Sequence, residues 1–87
     1  MDEGLVAAAL RFLDRRHAVQ ALAAADESFR GLCADFAEAQ AALQRWRASA
    51  SAAREKRCAE YEELVESLAA EIASNLDPTE AGSSDVA

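Results

Sequence analysis

Residues that break regular structure are scarce in this chain of 87 residues: proline occurs once, at Pro78, and glycine three times, at Gly4, Gly31 and Gly82. Between Leu32 and Asp77 there is neither, so that stretch offers none of the punctuation that a turn-rich architecture needs. Long apolar runs are also missing. The longest, Leu5 to Leu10, ends at Arg11 and falls far short of the ~20 residues that cross a bilayer, so no membrane partner is expected. Positive charge is in deficit, with 9 Lys and Arg against 16 Asp and Glu and a net charge of -7. Sequence-independent binding to nucleic acid draws its affinity from Lys and Arg displacing counterions, and this balance works against it. The two cysteines form no short pairing motif, and no basic stretch followed by an apolar core opens the chain. Both features point to a reduced, cytoplasmic setting rather than a secreted disulfide scaffold.

Ala, Leu, Glu, Gln and Arg, all strong helix formers, dominate what remains. Phe29, Leu32, Phe36, Ala39, Leu43 and Trp46 follow one another in steps of three and four, which lines them along one seam of a helix. Asp26 or Ser28 can cap its start, and Glu27 suits its first turn. A second seam runs Cys58, Tyr61, Val65, Leu68 and Ile72, broadened by Leu64 and Leu76. Carrying the first heptad past Trp46 would put Arg57 and Glu60 on the seam, so the register breaks between the two. The expected break is a turn at about 48–52, where Ser49 and Ser51 compete with the helix for backbone hydrogen bonds. The rival is one continuous helix of about 50 residues, some 75 Å long. Folding back about residue 50 instead sets Phe29 against Ile72, Leu32 against Leu68, and Phe36 against Leu64 and Val65. Trp46 then packs at the tip, within reach of stacking on Arg54.

The expected fold is therefore all-α: an antiparallel helical hairpin plus an N-terminal helix, a small bundle completed by oligomerisation. Helices are placed at about 3–24, 27–48 and 52–76 in a single domain of residues 1–76, with 77–87 a disordered tail, since Asp77-Pro78 ends the last helix and the remainder is small and polar. The N-terminal helix carries Leu5, Phe12 and Val19 beside a second stripe of Val6, Leu10 and Leu13. It either packs across the hairpin or extends away to dock on another copy. With a thin core of few large side chains, these six residues form the candidate interface for a homodimer or a larger protein.

Few side chains offer chemistry. His17 stands on a helix with Asp14 one turn earlier, yet no nucleophile or second ligand lies at helical spacing, so a surface or interface histidine is expected. Cys33 and Cys58 would be ten residues out of register in the hairpin, roughly 15 Å along the axis and beyond the ~7 Å that a disulfide spans, so both are expected to be free thiols. Glu60, Glu62, Glu63, Glu66 and Glu71 lack the Glu-x-x-His spacing of a di-metal bundle and are expected to form a solvated face. No catalytic residue, metal or cofactor is assigned. Arg45, Arg47, Arg54, Lys56 and Arg57 crowd the hairpin tip, where they could contact an anionic partner.

From the capped Phe29-Arg30-Gly31-Leu32 opening through the two seams to Glu71-Ile72-x-x-x-Leu76, residues 26–76 resemble the YdcH-like proteins, a family of short bacterial helical hairpins of unknown function. The chain departs from that pattern where Glu60-Tyr61-Glu62-Glu63 replaces a lysine-rich second helix, and in the long segment before residue 26. The resemblance implies a hairpin and no activity. The expected role is a protein-protein interaction or structural module, with a thiol-based or small-ligand sensor using Cys33 or Cys58 as the alternative.

Overall fold

The computed structural model describes residues 2–76, all of whose regular structure is helical: α1 Glu3–Arg11, α2 Arg16–Ala25, α3 Glu27–Arg47 and α4 Arg54–Leu76, with a 3-10 turn Leu13–Arg15 between the first two. The all-α expectation holds. The tail expected at 77–87 lies outside the described residues.

The hairpin forms as its seams require. Asp26 takes an extended conformation (φ -134°, ψ 109°), and its Oδ1 accepts hydrogen bonds from the backbone N–H groups of Ser28 and Phe29 at 2.9 and 3.2 Å. One carboxylate thus satisfies two of the orphan donors at the start of α3. The chain leaves helix between Ala48 and Ala53, where each serine takes up a donor of the turn. Ser49 Oγ accepts from the Ser51 N–H at 3.0 Å, and Ser51 Oγ accepts from the Ala53 N–H at 3.1 Å. The continuous-helix rival is thereby overturned: α3 and α4 are separate and pack against each other.

Burial follows the seams with local departures on both helices. On α3 the buried line is Phe29, Cys33, Phe36, Ala39 and Leu43, so Cys33 takes the inward place expected of Leu32, which is half-buried. On α4, Val65, Ala69, Ile72 and Leu76 are buried, while Cys58, Tyr61 and Leu68 pack at the margin of the core. Leu64, expected to broaden this seam, is instead exposed. Phe29, Phe36, Ile72, Val19 and Cys33 are the largest fully buried side chains and lie in one cluster. Each large apolar residue there contributes about 1.5–3 kcal/mol of hydrophobic stabilisation.

The single N-terminal helix expected over 3–24 is not formed. It breaks at Phe12, whose backbone (φ -122°, ψ 59°) leaves the helix as its N–H closes on the Ala8 carbonyl at 2.9 Å. A straight rod cannot touch itself, whereas the break lets α2 fold back against α1 and reach both α3 and α4. Val19 and Ala23 enter the core at that corner, and Phe12 packs against it. Two arginines then donate to main-chain carbonyls of other helices. Arg15 Nη2 donates to the Leu76 carbonyl at 2.7 Å, and Arg30 Nη1 donates to the Ala23 carbonyl at 2.6 Å.

Candidate interaction surface

The seating of α1 begins with a glycine. A Cβ on Gly4 would stand 2.8 Å from the Ala34 nitrogen and 2.9 Å from both the Ala34 Cα and the Cys33 carbonyl carbon, so α1 meets the backbone of α3 directly. Ala8, one turn on, is fully buried in the same contact face. With the small residues inward, helical geometry sends positions 6 and 10 outward on the opposite side. Val6 is 39% exposed, Leu10 65% and Leu13 54%. These three aliphatic side chains form a stripe facing away from the core, and Val6, Ala7 and Leu10 overlook a shallow groove whose far wall is Ala34, Ala37 and Ala41 of α3. Asp2, Glu3 and Glu38 rim that groove.

The six residues expected at an interface therefore separate into two groups. Val19 is fully buried within its own chain and is no interface residue, and Leu5 and Phe12 pack against the intramolecular core. The hairpin's need for cover is met by its own N-terminal segment, folded at Phe12, rather than by a partner. Val6, Leu10 and Leu13 remain outward. Sequence inspection missed the opposite wall. Its signal is an alanine spacing of three and four along α3, Ala34, Ala37 and Ala41, with Glu38, Gln40 and Gln44 between and beyond them.

At the hairpin tip Arg45, Arg47, Arg54, Lys56 and Arg57 are all exposed, as expected. Three of the five turn to their own chain: Arg47 pairs with Glu62 at 3.1 Å, Arg57 with Glu60 at 2.9 Å, and Arg54 Nη1 reaches the Arg47 carbonyl at 3.5 Å. The stem acids thus reach back and neutralise part of the tip's charge, which weakens it as an anion seat. Trp46 is half-buried, and the cation-π contact among the described residues is Arg11 over Phe12, at 5.7 Å to the ring centroid. Arg11 also pairs with Glu66 at 3.3 Å, tying α1 to α4. These three ion pairs are solvent-exposed and contribute at most about 1 kcal/mol each.

Cys33 and Cys58 are both free thiols. Burial, with the nearby Asp2 carboxylate adding to it, pushes the Cys33 thiol up to about 11, which suppresses the thiolate that redox or metal chemistry requires. Cys58 is half-buried at the edge of the core. His17 is exposed on α2, and Glu60, Glu62, Glu63, Glu66 and Glu71 are exposed on α4. Among the described residues no three His, Cys, Asp or Glu side chains gather as a metal ion would need, and no helix is long and apolar enough to cross a membrane.

No known protein family matches this chain, and no curated protein or solved structure is significantly similar to it. The likeness to the YdcH-like hairpins rests on the residues of 26–76 alone.

Proposed function

We propose that this protein is a cytoplasmic interaction module that works by helix packing, with the outward face of α1 as its contact surface. One observation carries the reading: Leu10 and Leu13 leave more than half of their surface in water although the core has closed beneath them. Single exposed leucines are ordinary, but Val6 and Leu10 one turn apart on α1, beside the alanines of α3 and continued past the break by Leu13, make an apolar strip that a partner helix can cover. The groups with catalytic potential lie apart, since His17 is exposed on α2 while Cys33 is buried with its thiolate suppressed. The net charge of -7 argues against a nucleic-acid partner. The resemblance to the YdcH-like hairpins adds a shape and no activity.

Site-specific photo-crosslinking in the native host tests the surface. A crosslinker at position 10 or 13 is expected to capture a polypeptide efficiently, while the same group at exposed Gln20 or Ala24 on α2 captures little. Equal, background-level capture at all four positions refutes the reading.

A further inference from the structure

The partner that this surface fits best is a second copy of the same chain, an inference that rests on the contact surface proposed above. The geometry points to a two-fold dimer in which α1 pairs antiparallel with α1 of its partner, crossing near Ala8.

Three observations lead there. On α1 the outward stripe runs Glu3, Val6 and Leu10 in steps of three and four, the spacing of a helix-helix seam, and exposed Leu13 extends it past the break at Phe12, where it lines one shallow hollow with Leu10. The two ends differ in charge. Asp2 and Glu3 occupy one end, while at the other, beside Asp14, Arg16 is held over Leu13 by a hydrogen bond from Nη1 to the Leu13 carbonyl at 3.0 Å. An antiparallel pair about Ala8 sets Val6 of each copy against Leu10 of the other, and brings the acidic end of each to the Leu13-Arg16 end of its mate. A parallel pair would instead align acid with acid and arginine with arginine. Finally, Ala34, Ala37 and Ala41 leave a shallow groove beside α1 into which a second helix can settle, with the flexible side chains of Glu38, Gln40 and Gln44 along its α3 side.

Two-fold symmetry makes every such contact twice, which is how a short seam builds an interface. The helix spans only about 14 Å, so the interface is small and the dimer falls in the micromolar range or weaker.

Sedimentation velocity of the full chain over a concentration series tests the pairing, with circular dichroism to verify folding; every altered residue is exposed. The wild type is expected to show concentration-dependent dimerisation. Leu10→Glu should weaken it at least tenfold, because the new carboxylate enters an apolar seam twice and lies one turn from Glu3 of the partner. Leu64→Glu, on the exposed side of α4, should leave it unchanged. Glu3→Arg and Arg16→Glu should each weaken it by about threefold or more, and the double variant should recover most of the loss, as only the antiparallel arrangement allows. A wild type that stays monomeric at every concentration overturns the inference, as does a charge-swapped double variant no better than the single ones. If position 10 captures a different polypeptide in the host while the purified chain is monomeric, the self-pairing fails and the interaction reading stands. If position 10 captures nothing, both fail.

Discussion

Two glycine-to-alanine substitutions in this protein should move stability in opposite directions. Gly31 lies within α3, exposed, and a Cβ added there meets nothing within 4 Å. Gly31→Ala therefore changes only the backbone's freedom in the unfolded chain and the helix's own propensity, and should stabilise by about 0.5–1 kcal/mol. In a domain this small, each 1 kcal/mol raises Tm by about 4–8 °C. Gly4→Ala places the same methyl group 2.8 Å from a backbone nitrogen of α3 and 2.9 Å from two backbone carbons. Non-bonded carbon contacts settle near 3.5–4.0 Å, so α1 must withdraw by about 0.7 Å or more. Backbone cannot rotate aside as a flexible side chain would. A gap of that size forfeits about a quarter to a half of each dispersion contact along the face, Ala8 included, and overpacking of this kind costs about 1–3 kcal/mol. The gain in propensity offsets little of this, because Gly4 is in the first turn of α1. Urea denaturation followed by circular dichroism measures both variants against the wild type. If Gly4→Ala stabilised the protein as much as Gly31→Ala, α1 would not lie flush on α3, and the outward placement of Val6 and Leu10 would lose its basis.

Other consequences are equally direct. Asp26→Ala removes the acceptor for two backbone donors at the corner between α2 and α3 and should lower stability by about 1 kcal/mol, whereas Asp26→Asn keeps an acceptor and should lose little; an Asp26→Ala variant as stable as the wild type would mean that the cap contributes nothing. Because the Cys33 thiol is raised from 9.0 to about 11, the folded state holds that proton more tightly than the unfolded chain does. Its contribution is complete below pH 9, falls as pH rises towards 11, and amounts to about 2–3 kcal/mol over that window. Denaturation curves for the wild type and Cys33→Ala should accordingly converge between pH 9 and 11, and parallel profiles would refute the buried thiol. With a thiol reagent at neutral pH, half-buried Cys58 should label before Cys33; the reverse order would contradict the packing of α3.

The hairpin was legible because its signals are local. Steps of three and four from Phe29 to Leu43 and from Val65 to Ile72 place side chains on one face whatever surrounds them, and Ser49 and Ser51 sit where the two registers disagree. Even so, the seam on α3 shifted by one residue at Leu32 and Cys33. Both lie on the apolar side of the helix, and which faces inward depends on how Gly4 and Ala8 of α1 press against that part of α3.

In sequence the N-terminal segment describes one rod, because nothing in Leu10-Arg11-Phe12-Leu13-Asp14-Arg15 announces a break: no glycine, no proline, and in the structure no residue at a positive φ. The candidate surface inherited that error. Taken as an unbroken helix, the segment leaves Leu5, Phe12 and Val19 in need of a partner; bent at Phe12, it buries Val19 and leaves Val6, Leu10 and Leu13 outside.

Composition and periodicity alone thus determined that the chain is helical, where its hairpin turns, and that its net charge is negative, because helix propensity, capping and net charge are properties of neighbouring residues or of simple sums. Tertiary structure decided the corner at Phe12 and, with it, which apolar stripe meets water. That corner is held by contacts between residues far apart in the chain, such as Arg15 on the Leu76 carbonyl and Gly4 on the backbone of Ala34, and no window of a few turns contains both members of such a pair.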